Sequence, residues 1–230
     1  MTRKTIDQMI AWAEEYNDPR YFEEDPIAFP REFVRRGASL QDVEIASVFA
    51  SFLAWGRRAM IVRDCERLFD EMEWHPYDYV MAGSYRNDEA SLHRTVKWSE
   101  AAGICGRLRE WYTWHDTLEG LSAKEIRSIV FRRKDDPSAP DKKINLMRRW
   151  LVRTDGKVDL GLWTKTDPTS LLVPLDVHVH AQATALGLTK RRSKDMRTAI
   201  EITEQFRKIW PEDPLLGDFA LFGYGVTHSK

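Results

Sequence analysis

Cysteine is scarce in this chain. The only two, Cys65 and Cys105, are too few for a disulfide framework, a four-cysteine zinc site or a four-cysteine iron–sulfur cluster, so both are expected as buried thiols. Long apolar runs are missing too. No stretch approaches the length needed to span a bilayer, and the N-terminus lacks the apolar core of a signal peptide, which places the protein in the cytoplasm. Net charge is also nearly absent, at −1 over 230 residues, so there is no global pull toward nucleic acid and any such binding must come from local patches. No linker, internal repeat or alternating strand series stands out. With 43% hydrophobic and 31% charged residues, disorder is excluded as the main content, and a mostly α globular protein is expected.

Helical periodicity carries most of the chain. Ile6, Met9, Ile10, Ala13 and Tyr16 recur at helical spacing, and Pro19, Pro26 and Pro30 predict an irregular arm over residues 17–30. Ser39 begins a helix-opening pattern followed by a broad apolar face, Ile45, Val48, Phe49, Phe52 and Leu53, that Gly56 interrupts. A helix with Ile61, Cys65, Leu68 and Phe69 comes next, then His75-Pro76 and a short helix near Tyr77–Met81. Residues 92–118, with Trp98, Trp111 and Trp114, have a helical pattern and read as core. Short helices follow over residues 122–131 and around Ile144–Leu151, separated by a Pro-containing turn. After a loop-like stretch at 155–167, the last helices run over 196–210 and from Leu215 to a Gly223-Tyr224-Gly225 end.

The segment Pro174-Leu175-Asp176-Val177-His178-Val179-His180 stands apart. An apolar run stopped by Pro174 gives way to helical spacing that ends at Gly187, so Asp176 falls at the helix N-cap, where free backbone N–H groups favour its ionised form. Two basic stretches bracket it. Residues 132–153 hold eight cations against three aspartates, and residues 190–197 hold five against one. His178 and His180 form a His-x-His pair, but two residues apart on a helix point to nearly opposite sides and no third ligand is evident, so no metal is expected.

These residues carry a resemblance. The string 173–179, ending in Leu186-Gly187-Leu188, resembles the aspartate-bearing segment of the helix-hairpin-helix DNA glycosylases, including the 8-oxoguanine glycosylases. Upstream, Pro137-Ser138-Ala139-Pro140-Asp141-Lys142 resembles the hairpin that precedes that family's lysine, without its glycines. The following Lys-Lys-Ile-Asn-Leu resembles the family's Lys-x-x-Asn/Asp-hydrophobic pattern. The resemblance implies Lys142 as nucleophile, with Lys143 as the competing position, and His178 near the mouth of the site. It also implies Trp55 as a DNA wedge ahead of Arg57 and Arg58, and Asp218 with Phe222 in the base pocket. The chain, particularly its Asp-Phe-Ala-Leu-Phe-Gly ending, also looks like a bacterial family of unknown function related to that superfamily.

The resemblance implies one two-lobed helical unit with a degenerate helix-hairpin-helix. One lobe spans roughly residues 1–40 plus 155–230, and the other roughly 41–154, including a hairpin-like segment at 125–153. Lys142 and Asp176 are expected to face one cavity. Breaking an N-glycosidic bond builds positive charge on the sugar, which Asp176 can stabilise while a lysine amine attacks the anomeric carbon and forms a Schiff base. The expected partner is duplex DNA with a flipped, oxidised purine, bound by a monomer without cofactor. A non-enzymatic nucleic-acid binder and a helical scaffold are the competing classes.

Overall fold

The computed structural model describes residues 1–228, which form eleven α-helices and one small antiparallel hairpin. In chain order these are α1 (Arg3–Tyr16), α2 (Ala28–Arg35), α3 (Leu40–Leu53), α4 (Arg58–Glu71), α5 (Pro76–Ala82), β1 (Ser91–His93), β2 (Val96–Lys97), α6 (Trp98–Tyr112), α7 (Ala123–Ile129), α8 (Lys142–Val152), α9 (Val177–Ala185), α10 (Met196–Arg207) and α11 (Leu216–His228). Among the described residues no helix is long and apolar enough to cross a membrane. Local chemistry explains most starts. Ser39 and Asp42 form a reciprocal capping box at α3, Ser122 and Glu125 another at α7, and Asp195 caps α10.

The chain divides into two compact units, one of Met1–Tyr21 with everything from Asp136 onward, the other of Phe22–Asp135. This division differs from the expected lobes, which grouped residues 136–154 with the middle of the chain and 22–40 with its ends. Helix α8 joins the terminal unit because Arg149 and Arg153 are buried in ion pairs with Asp159, Asp213 and Asp218, and a buried charge stays where its partners are.

In the terminal unit, Met9, Trp12, Ala13 and Tyr16 of α1 share a core with Val173, Leu175, Ala183, Leu188, Ile202, Phe206, Ala220 and Leu221. The close approach of α11 to its neighbours requires small residues. A Cβ on Gly217 would collide with the Phe206 ring, one on Gly223 with Tyr16 and one on Gly225 with Gln182. The Gly223-Tyr224-Gly225 step is therefore a packing site inside a helix that continues to His228, not its end.

In the other unit, Phe29, Phe33, Phe69 and Trp74 form an aromatic cluster beside a nearly all-buried α3. Three expectations fail here. Residues 28–35 are helical, because Pro30 falls in the first turn of α2, where no intrahelical N–H is needed. Residues 91–97 are a hairpin, turned at Arg94 with φ 54°, because buried His93 spans Asp64 Oδ2 at 2.7 Å and the Trp55 carbonyl at 2.9 Å. Helix α6 stops at Tyr112 because buried Glu44 draws in the chain beyond it, accepting from the Tyr112 hydroxyl at 2.8 Å and the Leu118 N–H at 3.0 Å. Trp98 is core at 2% exposure, whereas Trp114, beyond that stop, is 82% exposed. Cys65 and Cys105 are free, buried thiols, and burial pushes Cys105 up to about 12.

Candidate active site

Asp176 is the N-cap of α9. Its backbone is extended, at φ −128° and ψ −170°, and Oδ1 accepts from the His178 and Val179 N–H groups, each at 2.9 Å. The approach is rigid because Val173 and Leu175 are buried in the core and the Val173 N–H donates to the Thr203 hydroxyl at 3.0 Å. One carboxylate oxygen is thus committed to the helix, and the other faces out. Oδ2 meets Lys142 Nζ at 3.4 Å, with both side chains 28% exposed.

Lys142 opens α8. The turn before it is built without glycine. Asp136 Oδ1 accepts from the Ser138 N–H at 3.0 Å and its hydroxyl at 2.7 Å, and the Ala139 N–H donates to the Asp136 carbonyl at 3.1 Å. Asp141 then takes the left-handed conformation, φ 44° and ψ 43°, which aspartate tolerates better than most residues. Asn145 Nδ2 closes the turn on the Pro140 carbonyl at 2.9 Å. A carboxylate-centred turn and a left-handed aspartate thus lead the chain into α8 without a glycine.

Two turns along α8, on the face that carries Lys142, lies Arg149. Its guanidinium donates to Asp218 Oδ2 at 2.6 Å and to Asp159 Oδ1 at 3.2 Å. Arg153, one turn further, donates to Asp159 at 3.1 Å, to Asp155 at 2.6 Å and to both oxygens of Asp213 at 2.8–3.0 Å. Asn17 Nδ2 reaches Asp155 at 2.6 Å, and both guanidinium groups lie over the Phe219 ring, at 4.9 and 4.8 Å. A ladder of alternating charge therefore runs through the core from Asp218 to Asn17. Burial pushes the Asp218 carboxyl up from its ordinary range against the opposing pull of Arg149, and the nearby Asp176 charge adds to the rise while Lys142 opposes it. Burial likewise raises Asp159 against Arg149 and Arg153.

Of the residues singled out in the sequence, Lys142 and Asp176 meet directly, and Asp218 lies within their electrostatic reach. Lys143 is half-buried beside Lys142 in the first turn of α8. Phe222 is half-buried, edge-on to the rings of Tyr16 and Tyr21 with centroids at 5.8 and 6.3 Å. His178 is exposed, and His180 Nε2 is bonded to the Arg191 carbonyl at 2.8 Å. Among the described residues no group of three or more His, Cys, Asp or Glu side chains is arranged to hold a metal ion. Trp55, Arg57 and Arg58 belong to the other unit. Arg94 lies over the Trp55 ring at 4.4 Å, Arg57 is exposed, and Arg58 is exposed at 3.8 Å from Asp25.

The basic stretches are weaker than their counts. Arg149 and Arg153 are buried in ion pairs and are removed from the first, while Arg191 in the second is half-buried against Asp195. Lys190, Arg192, Lys194 and Arg197 remain exposed. The ladder itself was not anticipated from sequence. Its one local signal is an arginine two turns after Lys142 within the apolar series Ile144, Met147, Trp150 and Leu151, all buried.

The chain matches the family described as Protein of unknown function (DUF2400) over residues 25–136 and 122–227, and it belongs to that family. No match was found among curated proteins or among solved structures.

Proposed function

We propose that this protein is a DNA N-glycosylase, with an accompanying AP-lyase step, that removes an oxidised purine flipped out of duplex DNA. The single observation that supports this reading is the Lys142–Asp176 pair: 3.4 Å apart, each at the start of a helix, brought together across 34 residues. A carboxylate with one oxygen held by two helix N–H groups is fixed in place, which suits it to stabilising positive charge at an anomeric carbon. Beside it, the Lys142 amine, once it has lost its proton, attacks that carbon. The glycosidic pair of electrons leaves on the base nitrogen, and opening of the sugar ring yields the imine. The half-buried Phe222 ring offers a stacking surface for the base.

A second reading, a nucleic-acid binder without cleavage, rests on the exposed cations Lys190, Arg192, Lys194 and Arg197, and under it the Lys142–Asp176 contact is an ordinary ion pair. One experiment separates them. Incubation with duplexes carrying oxidised purines or abasic sites, followed by borohydride, should leave a covalent protein–DNA adduct that Lys142→Gln abolishes and Lys143→Gln retains. Salt-sensitive binding with no adduct on any duplex would select the binder.

A further inference from the structure

The connection between α9 and α10 belongs to no sheet, yet residues 189–194 alternate as an extended strand does. Thr189 is buried, Arg191 is half-buried, and Arg191 Nη2 reaches the Ser193 hydroxyl at 3.2 Å. Side chains two residues apart meet in this way where the chain is extended. Lys190, Arg192 and Lys194 fall on the opposite side, and all three are exposed. Among the described residues their charges have no ion-pair partner.

Arg191 fixes the segment from within. Its Nε donates to the Thr198 hydroxyl at 2.9 Å and its Nη2 to Asp195 Oδ2 at 2.9 Å, in the first turn of α10 and at its cap. Its carbonyl accepts from His180 Nε2 of α9 at 2.8 Å. The Thr198 hydroxyl donates onward to the Ser193 carbonyl at 2.7 Å. Just beyond, the Met196 N–H donates to the Ser138 carbonyl at 2.8 Å. The segment is therefore tied both to the helix that Asp176 caps and to the turn that leads into Lys142.

We propose that residues 189–194 form a pre-shaped rail for the phosphates of one nucleic-acid strand, with Lys190, Arg192 and Lys194 as its contacts and Arg191 as the residue that positions them. This rests on the reading above only in taking nucleic acid as the partner, which the enzyme and the binder share. Two residues of extended chain advance about 6.6 Å. That step is comparable to the one between neighbouring phosphates along a strand, so three alternating cations can meet successive phosphates. Ordering a loose basic loop on binding would cost affinity, whereas the inward contacts of Arg191 order this one beforehand. The one carboxylate of the stretch, Asp195, is taken up by Arg191 and by the Thr198 N–H at 2.9 Å, so it does not neutralise the rail. Residues 189–194 also carry no large apolar side chain that could enter a bilayer.

The test is the salt dependence of binding by the full chain, read by fluorescence anisotropy on a labelled DNA duplex between about 50 and 200 mM KCl. Lys190→Gln, Arg192→Gln and Lys194→Gln should each lower the slope of log K against log salt by about 0.9, and the triple variant by about three times as much. Lys208→Gln removes the same charge at the other end of α10, where Lys208 is exposed, and should leave the slope unchanged. Arg191→Lys removes no charge, but a lysine cannot hold Thr198, Ser193 and Asp195 together. It should weaken binding about three- to tenfold and lower the slope as well, which a change in charge count alone does not explain. An unchanged slope in the triple variant, or an equal loss in Lys208→Gln, would overturn the proposal. Arg191→Lys that binds like the unmodified protein would overturn the role given to Arg191. Binding to phosphatidylserine vesicles with none to the duplex would overturn the choice of partner. If borohydride traps an adduct while the slopes stay unchanged, the rail falls and the glycosylase reading stands. If the slopes fall as stated and no duplex gives an adduct, the glycosylase reading falls and the rail stands.

Discussion

The two units each bury an aspartate among arginines, yet the two carboxyls are driven in opposite directions. In the unit of residues 22–135, Asp64 is 1% exposed and accepts from His93 at 2.7 Å, Arg63 at 2.8–2.9 Å and Arg67 at 3.3 Å. Burial pushes it up, but the hydrogen bonds from His93, Arg63 and Arg67 together carry it below the usual aspartate range. In the terminal unit, Asp218 and Asp159 are raised by burial in spite of their arginines. The difference lies in depth and in who provides the cover. Asp64 is screened from water by arginine side chains that are themselves 60% and 44% exposed, so solvent stabilises its ion pairs from just outside. The ladder's arginines are 6% and 2% exposed, so both members of each pair have lost water, and Coulomb attraction must offset two desolvation costs. Low exposure of the carboxylate alone therefore does not predict the sign of its shift.

The sharpest way to break this comparison is to remove one arginine from each region. Arg153→Met leaves Asp159, Asp155 and Asp213 without their shared donor, and breaking a buried pair from one side should cost about 3–5 kcal/mol of unfolding free energy. Arg63→Met removes a largely exposed partner and should cost less than about 1 kcal/mol. Urea denaturation of the two variants checks the contrast, and equal losses would mean that depth is not the deciding variable.

An intermediate effect is expected at His93. Replacing it with glutamine cannot keep both the Asp64 and the Trp55 carbonyl contacts, so a buried acceptor is left unsatisfied at a cost of about 1–3 kcal/mol. Because Trp55 leads directly into the Arg57–Arg58 turn, hydrogen exchange at residues 54–58 should quicken while α8 and α9 stay protected. Uniform acceleration across the chain would show the effect to be global unfolding.

The smallest effect is the most diagnostic, because the two regions should respond to pH with opposite sign. Asp64 has a depressed native value, so its stabilisation is present above the ordinary aspartate value of 3.8 and is lost as pH falls toward the native one. Asp159 and Asp218 have raised native values. Their folded forms bind protons more tightly than the unfolded chain, so their contribution is largest at or below 3.8 and declines as pH rises through the native values. Denaturation curves between pH 3 and 7 should therefore show Asp218→Asn flattening the decline on the upper side and Asp64→Asn flattening the loss on the acid side. A change of the same sign in both variants would contradict the assignment.

Much of the helical framework was legible in the sequence because its causes are local. The capping serine at 39, the aspartate cap at 176, the stop at Gly187, whose φ is 73°, and the apolar spacing of α1, α4 and α10 all act within about four residues. The juxtaposition of Lys142 with Asp176 was an expectation of resemblance, not of pattern, and the structure brings them to 3.4 Å. What sequence alone could not decide depends on contacts between distant positions. The 91–97 hairpin exists because His93 is held from Asp64 and Trp55, 29 and 38 residues away. Trp114 lies outside because Glu44 turns the chain from a distance of more than 60 residues. The assignment of α8 to the terminal unit, and the loss of Arg149 and Arg153 from the basic surface, follow from partners 69 and 60 residues away. The sequence by itself determined most helix starts and which faces are apolar, since those forces act along the chain, but not α2 or the start of α6. Tertiary structure decided which charges are buried, because a charge leaves water only where folding brings it a partner.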